Sequence, residues 1–400
     1  MTMLADRMSV VKPSPSMAVS QAAKALAAQG IEVADLGLGE PDFNTPSHVI
    51  EAAHQAALAG DTRYTATGGA PATKAAVCKK FRRENGLEFS ADEVVVANGA
   101  KQIIFNALMA TLEEGDEVIL AAPYFVSYPD MALMLGGRPV VVECAREDGF
   151  KLTPEALAAA ITPKSKWLIL NAPGNPSGAV YTVEELQALG RVLADHPNLM
   201  ILSDEIYEHI VFDGRAFTSF GKACPELRDR TLIVNGVAKA YAMTGWRIGY
   251  GAGPAELIKG MTTVQSQSTT NACSVAQAAT VAALIGPQDE VARFRDAFER
   301  RRDLVVDGIN AIPGLALDAP QGAFYAYVDC SGIMGKTAPD GTVLETDPQV
   351  TKFLLDEARV AAVPGAAYGL SPFFRLSTAT ADEVLTAAIS RIRDAVARLR

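Results

Sequence analysis

The sequence predicts an α/β fold: a mostly parallel sheet covered by helices on both faces, with a smaller α+β domain formed by both chain ends. Between about residues 70 and 290, short apolar runs alternate with helical segments, which is typical of parallel strands joined by crossover helices. Several runs are continuously apolar, as expected for strands buried on both faces. Polar, glycine and aromatic residues cluster directly after these runs, where open α/β sheets bind ligands.

The N-terminal segment is predicted to contain an arm, a helix and a strand before the sheet begins. Residues 1–13 are predicted to form an extended arm. Residues 17–29 carry apolar or small residues along one helical face and are followed by Gly30, so they are predicted to form an amphipathic helix. Residues 31–38 are predicted to be a short strand. Residues 46–59 are predicted to be a second helix, after a loop punctuated by Gly and Pro.

The large domain is predicted to contain seven short strands with helices between most of them. Their predicted bounds are residues 93–97, 117–121, 139–143, 166–170, 199–203, 231–234 and 247–252. A seven-stranded sheet sandwiched by helices follows from this pattern.

The C-terminal part changes pattern after a long charged helix at residues 291–310. The basic run Arg300 to Arg302 in that helix is interpreted as a solvated face. Residues 321–329 alternate like a half-exposed strand. A helix at 348–358, strands at 360–363 and 373–377, and a closing helix at 381–399 are predicted to follow. The predicted domains are residues 1–45 (arm and part of the small domain), 46–295 (large domain) and 296–400 (small domain).

The overall composition excludes several classes of protein. The formal net charge is -10 and the pI is near 5.1, which argues against nucleic acid or an anionic membrane as a partner. The five cysteines are far apart and have no Cys-x-x-Cys or Cys/His pairing, so neither a disulfide framework nor a metal site is expected. No secretory leader and no apolar stretch long enough to span a bilayer is apparent. These features predict a cytoplasmic protein.

The stretch from residue 235 to 249 contains one lysine, Lys239, among small and aromatic residues, with no acidic residue in the stretch. Arg247 follows eight residues later. Desolvation and a nearby cation both favour the neutral amine, and a neutral amine can attack a carbonyl. A lone lysine of this kind is nevertheless more often a surface residue in a loop.

Other candidate residues also follow predicted strands. Gly99, Ala100 and Lys101 open a helix whose N-terminus can bind an anion. Asp204 ends a buried strand, so its carboxylate is expected to need a cationic partner, although helix capping is an alternative.

Two further candidates have simple structural explanations of their own. Asn175 lies in a Pro-flanked turn, where an asparagine is common for its turn chemistry alone. Arg375 ends a short strand, and its guanidinium could form a structural ion pair or bind a ligand carboxylate at two points.

One cofactor, pyridoxal 5′-phosphate, requires all of these parts: a lysine for its aldehyde, a helix N-terminus and an arginine for its phosphate, and an acid for its ring nitrogen. At this point the sequence resembles the class I aminotransferases of fold type I, and in particular the bacterial aspartate aminotransferases that can also act on prephenate. The resemblance extends over essentially the whole chain. Its motifs are residues 236–249, which match the family's lysine signature, and residues 39–43, 64–65, 175–178, 204–207 and 374–377.

The resemblance implies roles around the cofactor. Lys239 would hold the cofactor covalently and then move the substrate's proton. Asp204 would keep the ring nitrogen protonated. The other implied contacts are hydrogen bonds to the ring hydroxyl oxygen from Tyr207 and Asn175, stacking by Phe125, and phosphate binding by Gly99, Ala100, Lys101 and Arg247.

The resemblance also implies roles toward the substrate and a second subunit. Arg375 would bind the substrate α-carboxylate, assisted by the Gly39 amide and Asn175. Lys101 would meet the distal carboxylate of a dicarboxylic substrate, with Lys12 of the N-terminal arm assisting; Phe125 would also border the substrate. Tyr64 would reach the phosphate bound by a neighbouring subunit, so a homodimer with shared active sites is implied.

The sequence departs from the family pattern at four positions. Phe125 stands where this subgroup usually has Trp, Ala100 where many relatives have Gly, and Ala238 where many have Ser. Thr378 occupies a position that is often aromatic in close relatives. None of these changes removes a catalytic group, and those near the pocket bear on the choice of substrate side chain.

The favoured function is a ping-pong aminotransferase that moves an amino group between aspartate or glutamate and a 2-oxo acid such as 2-oxoglutarate or oxaloacetate. The alternatives are a prephenate or aromatic amino acid aminotransferase, a pyridoxal-phosphate-dependent β-lyase, and a regulatory domain that senses the cofactor. The regulatory alternative is weak because no N-terminal DNA-binding module precedes the fold and the chain is acidic. A nicotinamide dehydrogenase fits worse, since no strand is followed by Gly-x-Gly-x-x-Gly.

Overall fold

The computed structural model describes residues 3–400. The first two residues of the predicted arm lie outside the described part. The prediction of an extended arm is wrong at Asp6–Ser9, which form a short 3₁₀ helix. The Ser9 hydroxyl donates to the Asp6 carbonyl at 2.7 Å, a local bond by which serine supports a turn.

The β-strands form three sheets. They are β1 (Ala34–Asp35), β2 (Val94–Ala97), β3 (Glu117–Ala122), β4 (Arg138–Glu143), β5 (Ser165–Asn171), β6 (Met200–Asp204), β7 (Thr231–Gly236), β8 (Gly249–Ala252), β9 (Tyr325–Asp329), β10 (Val360–Ala361), β11 (Val363–Pro364) and β12 (Phe373–Ser377).

The α-helices lie between the strands and at both chain ends. They are α1 (Pro15–Ala27), α2 (Ser47–Leu58), α3 (Pro71–Lys80), α4 (Ala100–Thr111), α5 (Tyr128–Met134), α6 (Pro154–Ala160), α7 (Val183–Ala194), α8 (Phe220–Ala223), α9 (Ala255–Ser266), α10 (Ser274–Ile285), α11 (Asp289–Asn310), α12 (Asp347–Phe353) and α13 (Asp382–Val396). Helices α3 and α12 each continue into a π-helical turn, Phe81–Asn85 and Leu354–Ala358.

The large sheet has seven strands in the order β2-β8-β7-β6-β5-β3-β4, and this confirms the predicted α/β fold class. Its strands are parallel except β8, which lies antiparallel between β2 and β7. Strands β2, β7 and β8 are fully buried, as expected for strands of a sheet covered on both faces. Each of the seven predicted strands is present, with bounds that differ by a few residues.

Both chain ends contribute to a smaller α+β unit. The short strand β1 near the N-terminus pairs in parallel with β10, where Ala34 lies opposite Val360. Strands β11, β12 and β9 form an antiparallel sheet beside this pair. Their apolar side chains share one core with α11 and α13, which includes Leu36, Val328 and Ile392. The predicted domain boundaries at residues 45 and 295 remain a prediction.

Strand β9 is buried, so the prediction of a half-exposed strand at residues 321–329 is wrong. Two alternating residues of this strand, Tyr325 and Tyr327, are tyrosines whose hydroxyls form hydrogen bonds inside the protein. The strand can therefore be buried on both faces. The Tyr327 hydroxyl donates to the Leu370 carbonyl at 2.6 Å. The Tyr325 hydroxyl lies 2.7 Å from the Tyr207 hydroxyl.

The basic run in α11 is not a solvated face, so that interpretation is wrong for two of its three arginines. Arg301 is 7% and Arg302 is 5% exposed. Arg301 contacts Asp42 at 2.8 Å and Asp382 at 3.0 Å, and Arg302 contacts Asp213 at 2.6 Å. Buried cations need such partners, and these ion pairs join α11 to two distant loops and to the first residue of α13.

Within residues 3–400, no helix has the length and apolarity needed to cross a bilayer. All five cysteines are unpaired thiols.

Candidate active site

A cavity of about 470 Å³ lies where several strands of the large sheet end, between that sheet and the small unit. All the predicted site residues except Lys12 and Tyr64 line it: Gly39, Gly99, Ala100, Lys101, Phe125, Asn175, Asp204, Tyr207, Lys239, Arg247 and Arg375. Most of them follow β2, β3, β5, β6 or β7 directly. The carboxyl ends of parallel strands meet at one sheet edge, which is why residues far apart in sequence converge here.

Lys239 follows β7 and presents its amine to the cavity. The amine donates a 2.6 Å hydrogen bond to the Gly39 carbonyl. Burial lowers the pKa of Lys239 to about 8, and the charges of Arg375 and Arg247 act in the same direction. An amine with this pKa is partly neutral near physiological pH, as a nucleophile requires.

Asp204 ends β6 and is 5% exposed. The expected cationic partner is absent, because no cation of the described residues lies within ion-pair distance of this carboxylate. Instead, the Tyr128 hydroxyl donates to Oδ2 at 2.6 Å and the Ile206 amide to Oδ1 at 3.3 Å. Burial raises the pKa of Asp204 to about 6, opposed by the bond from Tyr128.

Arg375 lies on β12 and is 2% exposed. It donates to the Asn175 side-chain oxygen at 3.0 Å and to the Gly37 carbonyl. No carboxylate of the described chain pairs with it, so the structural ion pair considered from sequence is not formed there. Its Nε has no hydrogen-bond partner within residues 3–400. A buried cation with an unused N–H beside a cavity is suited to bind an anionic ligand.

Tyr207 and Tyr325 form a phenol pair at the cavity wall, with their hydroxyl oxygens 2.7 Å apart. Burial raises the pKa of both phenols, so both remain hydrogen-bond donors at neutral pH. The Tyr325 ring also lies under the Arg375 guanidinium, 4.5 Å from its centre. Tyr325 therefore contacts both Tyr207 and Arg375, two residues that the sequence predicted to lie in the site.

An anion-binding cradle is formed by the start of α4 and Arg247. Gly99 caps the helix with φ +92, and a Cβ at this position would overlap the Arg247 guanidinium. Arg247 is held by the Thr244 carbonyl at 2.8 Å. The first N–H groups of a helix lack partners within the helix, and together with a guanidinium they favour a phosphate.

Lys101 and Phe125 form the side of the cavity near the N-terminal arm. The Lys101 amine lies 5.1 Å from the centre of the Phe125 ring and donates to the Ser127 hydroxyl at 3.0 Å. Burial, and then the charge of Arg247, lower the pKa of Lys101. A second cavity of about 410 Å³ adjoins this side and is lined by Lys101, Arg247 and Lys12. Lys12 thus lies beside the main cavity.

Tyr64 is not part of the cavity. Its side chain is 89% exposed, and it forms no side-chain hydrogen bond with the described part of its own chain.

Sequence reasoning missed three residues that build the site: Tyr128, Asn171 and Tyr325. Asn171 donates to the Asp204 carbonyl at 2.9 Å and accepts from the Asn175 amide at 2.8 Å, so it joins two strand ends. Its position directly after a predicted strand was a usable signal. Tyr128 and Tyr325 had no comparable signal, because their hydroxyls reach partners far away in sequence.

Comparison with known proteins agrees with this geometry. Residues 31–392 match the family model "Aminotransferase class I and II". The chain is 56% identical to an aspartate/prephenate aminotransferase from Cereibacter sphaeroides, over 98% of both chains. It is 51% identical to an aspartate aminotransferase from Rhizobium meliloti, over 99% of this chain and 96% of the relative.

Solved structures of related enzymes have the same fold. The crystal structure of the aspartate aminotransferase from Rhizobium meliloti superposes with a TM-score of 0.97 at 50% identity and covers 100% of both chains. An aspartate aminotransferase from Thermus thermophilus with maleate gives a TM-score of 0.92 at 44% identity, over 99% of this chain and 100% of the other. The chain therefore belongs to the class I and II aminotransferase family and is an aminotransferase.

Proposed function

We propose that this aminotransferase binds pyridoxal 5′-phosphate through Lys239 and exchanges an amino group between aspartate or glutamate and a 2-oxo acid. One observation carries the proposal: Lys239, Asp204 and Arg375 face the same cavity. A nucleophilic amine, a buried acid and an unpaired buried guanidinium are the groups that this cofactor and an amino acid substrate require together.

The residues at the cavity fit the cofactor. The Gly99–Arg247 cradle has no room for a side chain at Gly99, which leaves the helix N-terminus open to a phosphate. The Lys239 amine is held by a neutral carbonyl, that of Gly39, and burial keeps its pKa near 8. Asp204 lines the same cavity and would accept from the N–H of the cofactor ring.

When bound, pyridoxal phosphate supplies an aldehyde for the amine and a ring that withdraws electrons from the substrate's α-carbon. The Lys239 amine would hold the cofactor at this aldehyde, with loss of water, and would take the proton from the substrate's Cα once the substrate's amino group has displaced it. Asp204 would keep the proton on the ring nitrogen. Tyr207 and Asn175 would donate to the ring oxygen, and Phe125 would stack on the ring.

Arg375 orients the substrate by its α-carboxylate. Its guanidinium is already fixed by Asn175 and the Gly37 carbonyl, and its Nε remains unpaired within residues 3–400. This pre-organisation limits the loss of side-chain entropy when the carboxylate binds. Gly39 lines the same cavity, and its amide would assist Arg375 in binding the carboxylate.

The preference for a dicarboxylic substrate rests on Lys101 and Lys12. Both border the adjoining cavity of about 410 Å³, on the side where a distal carboxylate would extend. The relative from Thermus thermophilus was solved with maleate, a dicarboxylate. The relative named aspartate/prephenate aminotransferase favours prephenate as a second amino acceptor for this chain.

The exposed Tyr64 supports a homodimer with shared sites. A phenol that is 89% exposed can reach the phosphate bound by a second copy. The five unpaired cysteines support the reducing cytoplasm as the place of action.

The test is a set of half-reactions. Purified enzyme loaded with pyridoxal phosphate is mixed with single amino acids, and the absorbance of the bound cofactor is followed. Aspartate and glutamate should convert it rapidly. Lys101→Met should slow aspartate more than alanine, because only aspartate carries the distal carboxylate. Lack of conversion by both dicarboxylic amino acids would refute this specificity.

Two controls separate the alternatives. Borohydride reduction followed by peptide mass spectrometry should place the cofactor on Lys239, and Lys239→Ala should abolish the adduct. Release of pyruvate from β-chloroalanine without a 2-oxo acid would instead indicate a β-lyase. Turnover with prephenate as acceptor tests the second candidate directly.

A further inference from the structure

We propose that Tyr128 is a positioning residue for this site: its hydroxyl fixes the Asp204 carboxylate, and its ring supports Phe125. The part played by Asp204 and Phe125 against the cofactor rests on the proposed function. The two contacts of Tyr128 do not depend on it.

The first contact is a short buried hydrogen bond. Tyr128 is the first residue of α5 and is 1% exposed. Its hydroxyl donates to Asp204 Oδ2 at 2.6 Å, and within residues 3–400 it forms no other hydrogen bond. A buried hydroxyl needs a hydrogen-bond partner, and Asp204 is the partner of the Tyr128 hydroxyl in the described part of the chain.

The direction of this bond determines its effect. Burial and the Asp204 charge raise the pKa of Tyr128 well above the usual value, so the phenol keeps its proton and donates it. A hydrogen bond donated to a carboxylate favours the ionised form. Tyr128 therefore opposes the burial that raises the pKa of Asp204.

No other group of the described chain replaces this bond. The Ile206 amide, at 3.3 Å from Oδ1, is a weaker donor. Lys239 lowers the pKa of Asp204 through its charge, without a direct contact, and Tyr207 interacts with Asp204 only through charge. The neighbouring Glu205 carboxylate accepts from Ser203, Ser219 and Phe220. With one donor at each oxygen, the plane of the Asp204 carboxylate is fixed.

The second contact is aromatic. The Tyr128 and Phe125 rings meet edge to face, with centroids 5.4 Å apart and an interplanar angle of 78°. The Tyr128 amide also donates to the Phe125 carbonyl at 3.0 Å, which closes the turn between them. One buried residue thus holds both the acid that would pair with the ring nitrogen and the aromatic side chain that would stack on the ring.

The first test uses the apoenzyme and so does not depend on the cofactor. The Asp204 carboxyl is titrated by ¹³C NMR in protein with labelled aspartate, and its signal is assigned by Asp204→Asn. In Tyr128→Phe the midpoint should rise by about 1 pH unit or more, the effect of losing one hydrogen bond to a charged group. An unchanged midpoint would overturn the role of the hydroxyl.

The second test uses the loaded enzyme. Tyr128→Phe should lower kcat about 10- to 100-fold and leave the KM for the amino acid nearly unchanged, because the substrate contacts stay intact. Tyr124→Phe is the matched control: its hydroxyl forms no hydrogen bond in the described part of the chain, so kcat should not change. An equal loss in both variants would contradict the proposal.

The ring contact has its own variant. Tyr128→Leu should weaken binding of pyridoxal phosphate further than Tyr128→Phe, since only the leucine variant loses the edge contact with Phe125. Equal affinities in the two variants would overturn this half of the proposal. Circular dichroism checks that each variant is folded. If the unmodified enzyme failed to bind pyridoxal phosphate, the proposed function would fail, while the apoenzyme titration would still decide the role of the Tyr128 hydroxyl.

Discussion

The Lys239 amine donates a 2.6 Å hydrogen bond to the Gly39 carbonyl, across a separation of 200 residues. The acceptor is neutral, so it does not hold the amine in its charged form as a carboxylate would. Gly39 itself has no room for a side chain, because a Cβ there would overlap the Tyr325 hydroxyl. The N-terminal segment thereby closes the cavity around the lysine without forming an ion pair with it.

The lowered pKa of Lys239 predicts its reactivity in the apoenzyme. The folded amine should lose its proton near pH 8 and not near 10.5, so its acylation rate should rise with a midpoint near pH 8. Between these two values the unfolded chain binds more protons than the folded chain, and stability should increase with pH there. Peptide mass spectrometry after brief acylation at a series of pH values measures the midpoint.

The charge of Arg375 contributes to the lowered pKa of Lys239. Two variants of Arg375, one without the charge and one with it, test this contribution. Arg375→Gln should raise the midpoint of Lys239 acylation, whereas Arg375→Lys should leave it close to that of the unmodified enzyme. If both variants gave the same midpoint, the electrostatic explanation would be wrong.

Asp204 should reduce the stability of the apoenzyme. Its folded-state pKa of about 6 lies above the usual 3.8, so the folded chain binds more protons between these values and stability falls as pH rises through this window. Asp204→Asn should therefore stabilise the apoenzyme at pH 7.5, by on the order of 2 kcal/mol, while catalysis is lost. Urea unfolding at pH 7.5 and at pH 4 measures the effect, which should shrink at the lower pH.

Features that depend on a local sequence pattern could be predicted, whereas features that depend on contacts between residues far apart in the chain could not. Several of the seven strands are continuous apolar runs. The residues that follow the strands form the cavity, because parallel strands carry their ends to one edge of the sheet. The phenols Tyr128 and Tyr325 were missed because their roles depend on tertiary contacts. The buried Arg301 was misread for the same reason: charge in a helix indicates solvent unless distant carboxylates such as Asp42 are known to face it.

Tyr325 should matter to catalysis although no sequence motif marked it. Tyr325→Phe keeps the ring under Arg375 but leaves the Tyr207 hydroxyl without its 2.7 Å partner. The expected result is a loss of about 1 kcal/mol in transition-state stabilisation, or roughly fivefold in kcat/KM for aspartate. Steady-state kinetics measures it. Tyr325→Leu removes the ring as well and should also raise the KM; unchanged KM values in both variants would argue against a role in positioning Arg375.

Arg301, through its ion pairs, should contribute more to stability than its neighbour Arg300. Arg301→Met would leave the carboxylates of Asp42 and Asp382 without their shared partner. Because the two carboxylates are partly hydrated, the free energy of unfolding should fall by only about 1–2 kcal/mol. Arg300 is exposed in the same helical turn, so Arg300→Met is the control and should change stability by less than about 0.5 kcal/mol. Urea unfolding compares them, and equal effects would mean that the ion pairs of Arg301 do not contribute to stability.

The cradle at Gly99 should determine affinity for the phosphate of the cofactor. Gly99→Ala places a Cβ against the Arg247 guanidinium at φ +92 and ψ 158, a backbone conformation that costs a non-glycine residue about 1–3 kcal/mol. Gly245 lines the same cavity, and a Cβ there meets nothing within 4 Å. Calorimetric titration of the apoenzymes with pyridoxal phosphate should show at least tenfold weaker binding for Gly99→Ala and nearly unchanged binding for Gly245→Ala. Similar affinities would mean that the phosphate binds elsewhere, because only the first substitution displaces Arg247 from the start of α4.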